Sequence, residues 1–225
     1  MSLRRFAPLL GLLFALALLP ASAAPDRWKA EIDQLTANDA TTRLAPGGAV
    51  FVGSSSIRLW RSLATDFPGR PVLNRGFGGS QLADSVHYFD RLVAAHRPVI
   101  VVLYAGENDL NDGKTPEQVA ADFAAFRAKV QTDLPGARLF YLSIKLSPSR
   151  EKIWEGAKRA NALIAAACAG DPHCTFVDLV TPMTGADGRP RAELFGPDRL
   201  HLNADGYALW TSVLRPLLPP HVQPY

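Results

Sequence analysis

What this chain of 225 residues has little of narrows the reading first. It holds two cysteines, Cys168 and Cys174, and with His173 these do not complete the four ligands of a structural zinc site. Its charge of one sign is small: Lys and Arg number 24 against 21 Asp and Glu, a scattered net +3 that gives no footprint for nucleic acid. No internal repeat, low-complexity tract or interdomain linker interrupts it, so the chain reads as one domain large enough for a substantial core. The longest apolar run, Phe6 to Leu19, falls short of the roughly 20 residues that span a membrane. Asp109, Asn111 and Asp112 suggest a calcium loop, but Gly113 comes one place early and the closing glutamate is missing.

What is present begins with a targeting signature. Arg4 and Arg5 precede the apolar run, and Ala21-Ser22-Ala23 supplies a cleavage site. Cutting after Ala23 is expected, since cutting one residue later would leave Pro25 against the scissile bond. Residues 1–23 are therefore read as a signal peptide and residues 24–225 as the mature domain. Losing Arg4 and Arg5 lowers the formal charge from +3 to +1. Export to a periplasm or beyond gives the cysteines a role. Cys168 and Cys174 flank the turn-rich Ala-Gly-Asp-Pro-His, and an oxidising compartment favours their disulfide.

Apolar runs and their punctuation outline the domain. Trp28, Ile32 and Leu35 share one face of a helix over 28–38, with Asp26 as its expected cap. Strands are expected at Ala49 to Val52, Pro71 to Gly76, Pro98 to Tyr104, Arg138 to Ile144 and Thr175 to Leu179. A short helix through Trp60 and Leu63 follows the first. Ser80 is expected to cap a helix running to Ala95. Thr115-Pro116-Glu117-Gln118 carries a cap, an N1 proline and an N3 glutamine, which start the next helix. Further helices are expected from Arg150 to Ala167 and from Asn203 to Leu214, with a loop from Thr181 to Pro197. Five strands alternating with helices predict a three-layer α/β fold on a parallel sheet.

The first strand ends in Gly53-Ser54-Ser55-Ser56, at the carboxyl edge where open α/β sheets place ligands. One of these hydroxyls, near a helix N-terminus, suits a nucleophile; the same loop also suits an FMN phosphate. Of the five histidines, His87, His96, His173 and His221 occupy helix, loop or tail positions with no partner in the sequence. His201 stands three residues after Asp198, a spacing that lets the carboxylate accept the Nδ1 hydrogen and leaves Nε2 free as a base. Backbone N–H groups at Ser55 and Gly79 and the amide of Asn108 are candidate oxyanion donors.

Gly53-Ser54-Ser55, Gly79, Gly106-x-Asn108-Asp109 and Asp198-x-x-His201 fall in the order of the four blocks of the SGNH hydrolases, the GDSL esterases and lipases, which the chain resembles from Ala49 to Trp210. The resemblance implies a flavodoxin-like α/β/α sandwich with strand order 2-1-3-4-5. It implies Ser55 as nucleophile, His201 and Asp198 as base and orienting acid, and Ser55, Gly79 and Asn108 as the oxyanion hole. It implies an acyl-enzyme route needing no metal or cofactor. Ser54 departs from the pattern, since the first block usually reads Gly-Asp-Ser. The expected substrate is a short acyl ester, for which acetylated carbohydrate, small esters and lysophospholipid are candidates, because no long apolar lid is evident. An O-acyltransferase using a sugar hydroxyl in place of water, an FMN-binding protein and a non-catalytic carbohydrate-binding module are the rival readings. Arg58, Arg75 and Trp154 are candidates for lining the pocket.

Overall fold

The structure is a computed structural model and describes residues 27–39 and 44–219. The signal-peptide reading, Asp26 and His221 lie outside the described residues. Five strands form one parallel sheet: β1 Ala49–Gly53, β2 Val72–Gly76, β3 Ile100–Tyr104, β4 Arg138–Leu142 and β5 Cys174–Val177. Their order is β2-β1-β3-β4-β5, as the resemblance implies.

Burial on both faces explains why β1 and β3 are unbroken apolar runs rather than alternating ones. Val50, Val52, Val101, Leu103, Leu139 and Tyr141 point into one core layer. Phe51, Ile100, Val102, Tyr104, Phe140 and Leu142 point into the other. The first layer is covered by α1 Lys29–Thr36, by α4 Leu82–His87 and α5 Phe89–Leu92, and by α7 Pro116–Asp133 and α8 Trp154–Cys168. The second is covered by α2 Ser55–Arg58, α3 Leu63–Asp66 and α9 Ala204–Leu214. There Trp60 stacks on Tyr207 with centroids 5.3 Å apart, edge-on to Trp210 at 5.9 Å. Among the described residues no helix is long and apolar enough to cross a membrane.

Local chemistry accounts for most boundaries. The Thr115 hydroxyl oxygen accepts a hydrogen bond from Gln118 N, and the Gln118 side-chain oxygen accepts one from Thr115 N, closing the expected box at the start of α7. Asn203 caps α9 through Gly206 N. Two expectations are corrected. Ser80 does not cap α4: its hydroxyl donates to Phe77 O, closing the glycine turn, and the helix starts after Gln81, whose N–H donates to Asp84. The helix expected to reach Ala95 is broken at Tyr88, which divides α4 from α5, and again at Val93. The polar segment after β3 holds the short helix α6 Glu107–Asn111.

Cys168 and Cys174 are joined, tying the end of α8 to the start of β5. That is the amino edge of the sheet, away from the loops that follow the strands' carboxyl ends.

Candidate active site

In the order 2-1-3-4-5, β1 leads to β2 on one side and has β3 on the other, so a crevice opens beyond its carboxyl end. The turns leaving β1, β2 and β3 meet there. Gly53 ends β1 with φ 131°, and a methyl group at its Cα would stand 1.9 Å from the carbonyl oxygen of Tyr104. Only glycine lets the chain turn there against β3. The turn delivers Ser55 as the first residue of α2, where its N–H has no carbonyl within the helix to meet.

Three hydroxyls compete in sequence, but they differ in space. Ser54 and Ser56 are buried, at 4% and 2% exposure. The Ser54 N–H donates to Tyr104 O, and the Ser56 carbonyl accepts from the Tyr207 hydroxyl. Ser55 is half-buried, and its Oγ lies 2.9 Å from His201 Nε2. Where the family's first block usually has a carboxylate, Ser54 is packed inside the β1–α2 corner.

His201 comes from the long segment after β5. Phe195 and Leu202 bridge antiparallel at the base of its turn, and Gly196 N donates to His201 O. Within it Asp198 Oδ1 accepts from Leu200 N at 3.0 Å and His201 N at 2.9 Å, an Asx-type turn. The other oxygen, Oδ2, is 2.6 Å from His201 Nδ1. Burial raises the Asp198 carboxyl, but the hydrogen bonds from the His201 ring and the two N–H groups together outweigh it and bring it down to about 2. The carboxylate is thus ionised throughout the working range and directs the Nδ1 hydrogen toward itself, leaving the Nε2 lone pair for Ser55.

The oxyanion candidates come from the next two turns. Gly79 has φ 72°, a left-handed residue in the turn after β2. The Trp28 ring lies 3.4 Å from where its Cβ would be, and Glu31 accepts from Gly78 N at 3.2 Å. The N-terminal helix therefore braces this turn, and the sequence carried no sign of it. Asn108, on α6, donates from Nδ2 to Ser80 O at 2.9 Å. The neighbouring Asp109 is fully buried, where its two oxygens accept from Leu82 N at 3.1 Å and Lys114 Nζ lies 3.0 Å away. It ties the second turn to the third, and no acidic or histidine cluster able to hold a metal occurs among the described residues.

Other sequence candidates divide. Arg58 lays its guanidinium along Gly78, 2.8 Å from where a Cβ would be. Arg75 is buried within β2 and paired with Asp39 and His96, so it does not line the crevice. Trp154 donates to Ser147 O at 2.9 Å, and its ring faces Arg189. It lines a separate cleft of about 450 Å³ with Arg189 and Arg199, to which Ser55, Asn108 and His201 do not contribute. Sequence reading missed Arg150, which donates to Asn108 Oδ1 at 3.0 Å, and the buried Glu107 behind it.

A serine, a histidine and an aspartate linked by hydrogen bonds at the carboxyl edge of a 2-1-3-4-5 sheet define the class: an α/β/α sandwich with the constellation of serine hydrolases. Comparison with known proteins narrows it. Residues 23–209 match the GDSL-like lipase/acylhydrolase family, and the chain belongs to that family. It is 33% identical over 182 residues to the platelet-activating factor acetylhydrolase IB subunit alpha1 of Pongo abelii, covering 75% of this chain and 74% of that one. A GDSL-like lipase from Bacteroides thetaiotaomicron superposes with a TM-score of 0.71 at 19% identity, over 84% of this chain and 97% of that chain. A catalytic mutant of an acetylxylan esterase from Geobacillus stearothermophilus superposes with a TM-score of 0.63 at 13% identity, over 80% and 98% of the two chains. The last two likenesses speak to fold alone.

Proposed function

We propose that this acylhydrolase cleaves short-chain carboxylic esters, acetyl esters foremost, through an acyl-enzyme on Ser55. The observation that carries the reading is the continuous path from Asp198 Oδ2 to His201 Nδ1 at 2.6 Å and from His201 Nε2 to Ser55 Oγ at 2.9 Å. His201 Nε2 takes the Ser55 proton as Oγ bonds to the ester carbonyl carbon. The resulting oxyanion is met by the N–H groups of Ser55 and Gly79 and the side-chain amide of Asn108. Collapse breaks the bond to the alcohol oxygen, which leaves with the proton held on Nε2. Water then attacks the acyl carbon as His201 takes its proton, and the proton returns to Ser55 Oγ as the acid departs.

A relative at 33% identity carries acetyl in its name, a platelet-activating factor acetylhydrolase subunit, which supports an acetyl group on the acyl side. On the alcohol side an acetylated saccharide or a lysophospholipid fits the same chemistry. The Cys168–Cys174 disulfide supports an oxidising compartment, in line with removal of residues 1–23 on export and a mature domain of residues 24–225.

Turnover of p-nitrophenyl acetate by wild type and by Ser55→Ala tests the reading. The variant is expected to be folded by circular dichroism and to lose all turnover above background. Wild-type turnover in Ser55→Ala would overturn the assignment. A series of acetyl to palmitoyl esters, together with acetylated saccharides, is expected to show the highest kcat/KM at acetyl.

A further inference from the structure

We propose that Arg150 is a positioning residue that locks the Asn108 amide as an oxyanion donor, and that the buried Glu107–Lys145–Ser147 cluster holds Arg150 in place. The inference deepens the ester-hydrolase reading and rests on it.

An asparagine amide fits a site in two orientations, with oxygen and nitrogen exchanged. Only one of them can deliver an N–H to an oxyanion. Here Nδ2 donates to Ser80 O at 2.9 Å, while Oδ1 accepts from Arg150 Nη1 at 3.0 Å. A guanidinium has five donors and no acceptor. Exchanging the amide atoms would set NH2 against guanidinium and oxygen against carbonyl, two mismatches at once. Arg150 therefore selects the orientation in which Nδ2, with one hydrogen on Ser80, keeps its second hydrogen for the developing charge.

Arg150 reaches that place because the chain leaves helical geometry there. Pro148–Ile153 forms a turn of 3-10 helix in which Arg150 has φ −122° and ψ 37°. Its Nη1 also lies 3.9 Å from Glu107 Oε1. Glu107 and Lys145 are 4% and 1% exposed, and the Glu107 carboxylate is engaged by Lys145 Nζ, by Ser147 Oγ and, at 2.9 Å, by the Tyr104 hydroxyl. The Glu107 carboxylate thus stands between the cationic side chains of Lys145 and Arg150. The same segment touches the acid–base turn, since Ser149 N donates to Arg199 O at 3.1 Å. The stretch from Ser147 to Arg150 thus bridges the oxyanion donor and the turn that carries Asp198 and His201.

The test is a double-mutant cycle on p-nitrophenyl acetate with Asn108→Ala, Arg150→Ala and the double variant, each checked by circular dichroism. Removing an oxyanion donor lowers kcat by about 100-fold, and loss of its orientation is expected to cost about 10-fold in kcat with KM changed less than about 2-fold. In the Asn108→Ala background, Arg150→Ala is expected to add nothing further. Guanidinium ion at low concentration in the buffer is expected to restore part of the kcat of Arg150→Ala and none of that of the double variant. Arg150→Met, which keeps part of the aliphatic stem, provides the same comparison if the alanine variant fails to fold. Multiplicative losses in the cycle, or a loss confined to KM, would overturn the coupling while leaving the hydrolase reading intact. Wild-type kcat in Asn108→Ala would instead remove Asn108 from the oxyanion hole, and this proposal with it.

Discussion

His201 Nε2 lies 2.9 Å from Ser55 Oγ across 146 residues of chain. The pair joins the first strand's turn to the last loop, and Asp198 fixes the ring from the other side at 2.6 Å.

Replacing Asp198 by Asn keeps the shape but removes the charge that orients the ring, and the amide can hold the wrong tautomer. A loss of about 10⁴-fold in kcat is expected, by analogy with the same change in other serine hydrolases. Because Asp198 titrates at about 2, its protonation is not the source of any activity loss between pH 4 and 7. Steady-state kinetics of Asp198→Asn, with the pH profile of wild type over about 4 to 9, check both statements.

Gly79→Ala puts a side chain on a left-handed residue, at φ 72°, and sets a methyl 3.4 Å from the Trp28 ring. The conformation costs about 1 kcal/mol for an L-residue, and relief by rotating the peptide would turn its N–H away from the oxyanion. The expected result is a fall in kcat larger than any change in KM, with a modest drop in Tm. Unchanged kcat would remove Gly79 from the oxyanion hole.

Burial alone would raise the Glu107 carboxyl, but Lys145, Ser147 and Arg150 outweigh it and hold it below the ordinary carboxylate value. A carboxylate lowered on folding stabilises the protein above its unfolded value, about 4.3, and that contribution is lost as pH falls through the lower folded value. Glu107→Gln leaves Lys145 buried without its counter-charge, which costs about 3–5 kcal/mol near neutrality. The Tm difference between wild type and Glu107→Gln is expected to narrow in acid, where wild-type Glu107 is protonated too. Thermal melts from pH 7 down to about 3 follow it.

Removing the disulfide as the Cys168→Ser, Cys174→Ser double variant opens a loop of sequence separation 6. The chain-entropy model gives a loss of about 2 kcal/mol for so short a loop. Since the bridge lies at the amino edge of the sheet, kcat at a temperature well below Tm is expected to stay at the wild-type value. Denaturant melts and the ester assay separate the two effects.

Much of the site was legible because its signals are local. Asp198 and His201 fall three residues apart on one turn, and the Thr115–Gln118 box lies within four residues. Such spacings carry their own geometry. Gly79 was readable as a turn residue, and its left-handed backbone explains why glycine stands there. The capping role expected of Ser80 failed because the tight turn after Phe77 claims its hydroxyl, a competition a one-dimensional reading does not weigh.

By itself the sequence determined the alternation of strands and helices, the cysteine pair, and the order of four short motifs, since hydrophobic period and turn chemistry act over a few residues. Tertiary structure decided which of three serine hydroxyls meets the histidine, by burying Ser54 and Ser56 and turning Ser55 to His201. It also decided that Arg150, 42 residues from Asn108, faces its amide oxygen, and that Glu31, 47 residues from Gly78, braces the glycine turn. Those pairings depend on sheet order and register, which bring distant loops to one edge, and no spacing along the chain encodes them.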